Sequence, residues 1–319
     1  MSARRILLLL AASSLAACST STERSATSTL ARPAGSVSTV APPATTLTTP
    51  AILPTTTVPA STTTTPVTTV PLTTTATATF PVVDATAYAV FDQRAGTFLA
   101  ADDGDTPFPV GSLMKLLAAD VVYAAGDPVK LVTAPAGLVI DPMESIIGIA
   151  PGQQLQRDTL TRAMLVVSAN DAARALAFDI AGGEAAFAEQ MNARAAALGL
   201  TNTRAVNATG LDAEGQFSTA NDMVRLGAFL MGNPTFQAAA KQEDATLNGQ
   251  TLPATNDLLG TYPAADGIKT GHTTQAGWCI LASASRAGRR IIVAVLGAPT
   301  EEARTAAATA LLDWGFTQP

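Results

Sequence analysis

Ser112-Leu113-Met114-Lys115 places a hydroxyl and an amine three residues apart at the start of a predicted helix. Residues at this spacing lie about 60° apart around a helix, so the two side chains share one face. A serine hydroxyl is a weak nucleophile, and a lysine can act as its base only when the amine is neutral near pH 7. Burial and nearby positive charge lower a lysine pKa toward that state. Ser112 is thus a candidate nucleophile and Lys115 its base; the alternative is a helix-capping serine beside a surface lysine.

Two further segments carry groups suited to the same reaction. Ser168 and Asn170 lie in the run VVSANDAARALA, and a second serine can relay a proton to a leaving amine. Lys269-Thr270-Gly271 lies in DGIKTGHT on a predicted strand, where a lysine beside a hydroxyl forms a cationic shelf for a substrate carboxylate. Of the four lysines in the chain, two fall in these motifs, which argues against coincidence.

Several other chemistries are disfavoured by composition. The chain has one histidine, His272, and no cluster of histidine, cysteine and carboxylate side chains at metal-ligand spacing, which argues against a zinc hydrolase. There is no G-x-S-x-G segment, so a Ser-His-Asp enzyme would have to use His272 and an unmarked serine. A net charge of −6 without a lysine or arginine cluster argues against nucleic acid as a partner. No metal and no cofactor are expected.

The elements that must position these groups follow from hydrophobic periodicity and turn residues. A β-hairpin is predicted around Gln93–Gly96, and a helix follows Ser112 as far as Gly126. Further helices are predicted over 159–181, 183–199 and 218–231, strands over 267–273, 277–286 and 289–298, and a last helix from its cap Thr300 to Trp314. Strands at both ends with helices between predict an α/β fold of the α+β type, an antiparallel sheet flanked by helices with an inserted all-helical lobe.

S-x-x-K, S-x-N and K-T-G in this order are the signature of penicillin-binding proteins and serine β-lactamases. Beyond these motifs, the segments SANDAARALA, MNARAAALGLTNT, ATGLDAEGQFSTANDM, ATNDLL, DGIKTGHTTQAGWCILASASRAGRRIIVAVLGA and LLDWGF resemble the low-molecular-mass D-alanyl-D-alanine carboxypeptidases of serine peptidase family S11. The resemblance covers nearly all of residues 81–319. It implies the penicillin-binding protein/β-lactamase-like fold.

The resemblance also implies a role for each candidate residue. Ser112 is the acylated nucleophile and Lys115 the base, Ser168 and Asn170 form the second motif, and Lys269, Thr270 and Gly271 line the substrate strand. The backbone N–H groups of Ser112 and His272 form the oxyanion hole. Arg304, near the C-terminal helix, helps to hold the substrate carboxylate; the alternative is an arginine on the helix surface.

The implied activity is removal of the terminal D-Ala from peptidoglycan stem peptides ending in D-Ala-D-Ala, with β-lactams as inhibitors. One rival is a class A-like serine β-lactamase, for which Glu189 is the local candidate to activate water. Another is a catalytically silent wall-binding scaffold. Hydrolysis and transfer to an amine acceptor share one acyl-enzyme, and the motifs do not separate them. The segment between Ser112 and Ser168 is shorter than is usual in the family, so the cleft rim is expected to differ.

The N-terminal quarter predicts export. Arg4 and Arg5 precede a short apolar run and then Leu15-Ala16-Ala17-Cys18, which resembles the lipobox of bacterial lipoproteins; the alternative is an ordinary signal peptide. We therefore expect a signal peptide over 1–17, a disordered Thr/Pro/Ala-rich tether over 18–80 and a catalytic domain over 81–319, anchored by lipid on Cys18 to the outer face of the cytoplasmic membrane.

Two further expectations follow. Many members of the family continue into a β-rich domain and an amphipathic membrane helix, which the N-terminal lipid would replace here. The second cysteine, Cys279, lies in an apolar run. It is predicted to be a buried free thiol.

Overall fold

The computed structural model describes residues 79–319 apart from positions 140, 142 and 248. The predicted signal peptide, Cys18 and nearly all of the predicted tether lie outside this part. In chain order, the strands are β1 Ala87–Asp92, β2 Thr97–Asp102, β3 Leu131–Thr133, β4 Gln154–Gln156, β5 Asp244–Leu247, β6 Gln250–Pro253, β7 Ala265–Thr273, β8 Gly277–Arg286 and β9 Arg289–Ala298. The helices are α1 Lys115–Ala125, α2 Arg157–Val166, α3 Asn170–Ala181, α4 Glu184–Ala197, α5 Ala220–Leu230, α6 Pro234–Ala240 and α7 Glu301–Thr317.

An antiparallel sheet of five strands, in the order β2-β1-β9-β8-β7, is the frame of the described region. The β1–β2 hairpin pairs with β9, in a register that sets Val90 opposite Val293. The sheet is therefore assembled from two distant stretches of chain. The predicted hairpin, the three C-terminal strands and the antiparallel sheet built from both ends are confirmed.

The sheet has an apolar core on each face, because side chains alternate along its central strands. On β9 one alternate set packs towards α7 and the other towards the inserted helices: Ile291, Val293 and Val295 in the first set, Ile292, Ala294 and Leu296 in the second. Burial of each isoleucine, valine and leucine in these sets contributes about 1.5–3 kcal/mol. β8 and β9 thus form the buried support beside which β7, the edge strand, is held.

The chain between β2 and β7 forms the inserted lobe. It is mostly helical, and the predicted fold class is confirmed, but the expectation of an all-helical lobe needs correction. Two two-stranded antiparallel sheets, β3–β4 and β5–β6, lie within it. Strands of three or four residues are too short for their alternation to stand out against the helical pattern around them.

The prediction of one continuous helix over 159–181 is wrong. α2 ends at Val166 and α3 begins at Asn170, and between them Ser168 has φ of +64°. This left-handed conformation is uncommon for a residue with a side chain and ends a helix. Apolar periodicity runs across the break without a glycine or proline, so the sequence pattern did not reveal it. The short helix α6, capped by Asn233, was also not predicted.

Helix ends near the candidate nucleophile follow the sequence more closely. Gly111–Met114 forms a 3-10 turn that leads directly into α1, and α1 ends at Gly126, which has φ of +66°. Thr300 caps α7 as predicted, since its hydroxyl accepts a hydrogen bond from Ala303 N at 3.1 Å. In the described residues no helix has the length and apolar composition needed to cross a bilayer.

Candidate active site

The candidate nucleophile and its base meet at the start of α1. Lys115 Nζ lies 2.8 Å from Ser112 Oγ and donates a second hydrogen bond to the carbonyl of Thr209 at 2.6 Å. The 3-10 turn that carries Ser112 places its hydroxyl directly over the first residue of the helix. Lys115 is fully buried, with 0% of its surface exposed, so the surface-lysine interpretation does not hold.

Burial is the main reason why the pKa of the Lys115 amine is well below its usual value. The positive charges of Lys269 and Arg174 lower it further, while Glu144 and Glu184 oppose the shift. Because a neutral amine has a lone pair, Lys115 in this state can accept the proton of Ser112. The geometry and the electrostatics both fit the role of general base.

β7 lies directly against the turn that carries Ser112. A Cβ atom built on Gly271 would come 2.5 Å from Val110 O and 3.1 Å from Ser112 N, and one built on Gly111 would come 3.0 Å from His272 N. A side chain at Gly271 would therefore push the strand away from the turn. This close approach is what an oxyanion hole made by the N–H groups of Ser112 and His272 requires.

The second motif lies at the break between α2 and α3. The left-handed turn at Ser168 lets both Ser168 and Asn170 line the same cleft as Ser112. Such backbone conformations are costly and persist only where the surrounding structure holds them. They are concentrated at functional sites. The side-chain Nδ2 of Asn170 donates to Glu144 Oε2 at 2.9 Å.

The third motif divides between the cleft and the interior. Thr270, Gly271 and His272 line the cleft, and Thr270 Oγ1 donates to Thr255 Oγ1 at 2.7 Å. Lys269 is 1% exposed and donates to the carbonyl of Thr270 at 2.9 Å. Burial and the charge of Arg304 lower the pKa of Lys269 to about 7. The predicted cationic shelf is therefore only partly charged at neutral pH.

Arg304 extends from α7 to the cleft, where it is 1% exposed; the surface-arginine alternative is wrong. Its Nη2 donates to Asp257 Oδ1 at 2.7 Å and to Glu301 Oε1 at 3.2 Å, and its guanidinium lies 5.6 Å from the centre of the Trp278 ring. A substrate carboxylate would have to share this arginine with two acidic side chains. The charge at this end of the cleft is close to balanced.

The cleft has a volume of about 480 Å³. Its lining includes residues that sequence reasoning had not selected as site residues: Met143, Glu144, Ser145, Leu211, Ala254, Thr255, Asp257, Trp278 and Glu301. Asp257 and Thr255 belong to the ATNDLL segment noted above, and Trp278 to the run after K-T-G, so a signal existed for these. Glu144 had none, because it lies in an irregular loop with no motif.

Two residues discussed in the sequence analysis, Glu189 and Cys279, are not among the residues lining the cleft. Glu189, on which the β-lactamase alternative depended, is exposed on α4. Cys279 is a buried free thiol, as predicted, and burial raises its pKa to about 12.

Comparison with known proteins gives one family. Residues 73–300 match the model of Peptidase_S11, described as D-alanyl-D-alanine carboxypeptidase. The chain is 38% identical over 252 residues to D-alanyl-D-alanine carboxypeptidase DacC of Escherichia coli strain K12, which covers 75% of this chain and 63% of that protein. The chain thus spans less than two thirds of the length of this relative.

Solved structures give the same picture. Penicillin-binding protein 6B from Escherichia coli superposes with a TM-score of 0.71 at 33% identity, over 75% of this chain and 80% of that one. Penicillin-binding protein D2 from Listeria monocytogenes, in its cefotaxime-bound form, gives a TM-score of 0.68 at 33% identity, over 74% and 98%. The expected penicillin-binding protein fold is confirmed.

Proposed function

Because the chain belongs to the D-alanyl-D-alanine carboxypeptidase family S11, we propose that it removes the terminal D-Ala from peptidoglycan stem peptides through an acyl-enzyme on Ser112. The observation that carries this proposal is the 2.8 Å contact between Ser112 Oγ and the buried amine of Lys115, at the floor of an open cleft. The relative solved with cefotaxime supports β-lactams as ligands of the same cleft.

Acylation begins when Lys115 takes the hydroxyl proton of Ser112 and Oγ attacks the carbonyl carbon between the two D-Ala residues. The N–H groups of Ser112 and His272 stabilise the oxyanion, a contribution of about 10²–10³-fold per donor. The C–N bond then breaks, and the proton passes from Lys115 through the hydroxyl of Ser168 to the leaving amine of D-Ala. Water later attacks the ester carbon and the bond to Ser112 Oγ breaks. One proton of the water passes to Oγ, and the shortened peptide leaves as the carboxylic acid.

Selection of a peptide terminus is assigned to the groups around the end of β7. The hydroxyl of Thr270, which donates to Thr255 Oγ1 in the free protein, turns to the terminal carboxylate when the peptide binds. Arg304 and Lys269 supply positive charge nearby. Because Asp257 and Glu301 already engage Arg304, the carboxylate gains less from this arginine than from an unpaired one. The hydrogen bond from Thr270 to the carboxylate then carries a larger share of the specificity.

The test combines mass spectrometry with product analysis on the protein beginning at residue 79. Incubation with benzylpenicillin should give a stable adduct on Ser112, and a peptide ending in D-Ala-D-Ala should lose one D-Ala. Ser112→Ala should abolish both. Rapid hydrolysis of the penicillin would favour the β-lactamase, and absence of any adduct would favour the silent scaffold.

We further propose that the protein is a lipoprotein at the outer face of the cytoplasmic membrane, with the catalytic domain in the wall space. The support is the sequence Leu15-Ala16-Ala17-Cys18 after an apolar run, and the charge-poor stretch that separates Cys18 from β1. Diacylation of one cysteine gives stable anchoring, where a single chain would be marginal.

A further inference from the structure

A carboxylate that the mechanism above does not use lies in the cleft beside the second motif. Glu144 accepts one hydrogen bond from Asn170 Nδ2 at 2.9 Å, and both of its oxygens are bound by Arg174, at 2.7 and 3.0 Å. Arg174 is itself buried on α3, one turn after Asn170. Glu144 is thus the link between a cleft residue and a buried cation.

The loop that carries Glu144 is fixed to the start of α3. Asn170 N donates to the carbonyl of Ser145 at 2.7 Å. The carboxylate of Asp171 accepts from the backbone N–H groups of Ile147 and Ile149 at 3.0–3.2 Å. These contacts hold the backbone on the C-terminal side of Glu144, so the position of its carboxylate does not depend on its own side-chain contacts alone.

The same ion-pair network reaches the base. Arg174 Nε lies 3.3 Å from Glu184 Oε1, and Glu184 Oε2 accepts from the N–H of Ala208 at 3.3 Å. The next residue, Thr209, is the one whose carbonyl accepts a hydrogen bond from Lys115. One continuous set of contacts therefore joins the side chain of Asn170 to the turn that holds the general base.

The chemistry of the Glu144–Asn170 contact defines the orientation of the Asn170 amide. An ionised carboxylate only accepts hydrogen bonds, so the amide must turn its Nδ2 and not its Oδ1 towards Glu144. One N–H and the oxygen of Asn170 then remain for other partners. That oxygen is buried and has no hydrogen-bond partner among the described residues, which is unusual for a buried acceptor.

We propose that Glu144 is a positioning residue that fixes the amide of Asn170 for binding of the substrate. In this orientation the free N–H of Asn170 donates to a carbonyl of the peptide, whereas its buried Oδ1 is not accessible to the peptide. The inference rests on the proposed carboxypeptidase function and adds to it a residue outside the three motifs. Arg174 holds Glu144 ionised and in place.

Activation of the deacylating water is the other role that a cleft glutamate can have, and the contacts disfavour it. Burial alone would raise the pKa of Glu144, but the hydrogen bonds from Arg174 and Asn170 outweigh it and lower the pKa below its usual value. A carboxylate with a lowered pKa and with hydrogen bonds on both oxygens is a weak base.

The experiment is a double-mutant cycle on the second-order rate constant for acylation by benzylpenicillin. Glu144→Gln keeps the shape but offers the amide of Asn170 both a donor and an acceptor, so we expect acylation to slow about tenfold. In the Asn170→Ala background the same change should have no further effect. Glu144→Asp keeps an acceptor-only group and should acylate faster than Glu144→Gln.

A pH profile adds a readout that loss of stability does not move. The charged groups that act on Lys115 are Lys269 on β7, Arg174 on α3, Glu184 on α4 and Glu144 in its loop. Glu144 raises the pKa of Lys115, so its neutralisation should move the acidic limb of the acylation profile to lower pH. The matched control is Asp120→Asn, which removes a carboxylate with two hydrogen bonds from Arg194, away from the cleft; its acylation rate and pH limb should be unchanged.

Each other outcome overturns the inference. An equal loss from Glu144→Gln with and without Asn170 would mean a purely structural role. Unchanged acylation with slower deacylation would assign Glu144 to water activation. If the unaltered protein formed no adduct on Ser112, the proposed function would fail and this inference with it, whereas an unaltered protein that acylates normally isolates the effect of Glu144.

Discussion

Replacement of Lys115 by arginine is the sharpest test of the proposed general base. Arginine keeps a positive charge and hydrogen-bond donors, but its guanidinium cannot be deprotonated in a protein and cannot accept the proton of Ser112. The amine lies 2.8 Å from Ser112 Oγ and burial keeps its pKa low. Lys115→Arg replaces this amine with a group that stays protonated.

The expected size of the effect follows from this contact. A positioned general base contributes about 10²–10⁴-fold, and here the new side chain also adds a permanent charge beside Lys269 and Arg174. We therefore expect acylation of Lys115→Arg by benzylpenicillin to fall by about 10³-fold or more, equivalent to about 4 kcal/mol of transition-state stabilisation. Ser112→Ala should abolish acylation completely.

Lys269→Arg is the informative contrast, because the role assigned to Lys269 is electrostatic and arginine retains the charge. A measurable part of the acylation rate should survive in that variant. Lys241→Arg, at an exposed position, is the matched control and should acylate like the unaltered protein. The assay follows adduct formation by mass spectrometry on samples quenched at successive times and gives the second-order rate constant. Thermal unfolding is measured for each variant. If Lys115→Arg acylated at the unaltered rate while Lys269→Arg was inactive, the base and the carboxylate-binding lysine would be reversed and the mechanism refuted.

Three further predictions concern pH, the domain boundary and the anchor. Since the pKa of Lys269 is about 7 and only its protonated form attracts a carboxylate, KM for a D-Ala-D-Ala peptide should rise as pH increases through 7; a flat KM profile between pH 6 and 8 would contradict this. A chain that begins at residue 79 should keep full turnover. A chain that begins at Pro81 lacks the Phe80 ring, which packs on Trp314 of α7, and should melt about 2–4 °C lower, for a loss of about 1 kcal/mol. Equal melting temperatures of the two chains would show that Phe80 contributes nothing. Cys18→Ala should release the protein from the membrane fraction or block its processing, and unchanged membrane association would remove the lipoprotein proposal.

Local features of this protein were predictable from sequence. The spacing of Ser112 and Lys115 places both side chains on one face of any helix. The continuous apolar runs of β8 and β9 are typical of strands that are covered on both faces. Gly126 marks the C-terminal end of α1 and Thr300 marks the start of α7, also for local reasons. The resemblance to family S11 then placed the separate motifs in one site, which spacing alone does not do.

The features decided by the tertiary structure depend on segments that are distant in the chain. Lys115 has a low pKa because the lobe encloses it and Lys269 approaches from β7, and no property of S-x-x-K requires either. Arg304 forms an ion pair with Asp257, which lies in the connection before β7. Glu144 hydrogen-bonds to Asn170 from a loop without a motif. Residue types and short-range spacing determine which groups are present and which share a face. Burial, charge balance and hydrogen-bond partners arise only when distant segments pack, so the state in which those groups react is a property of the folded protein.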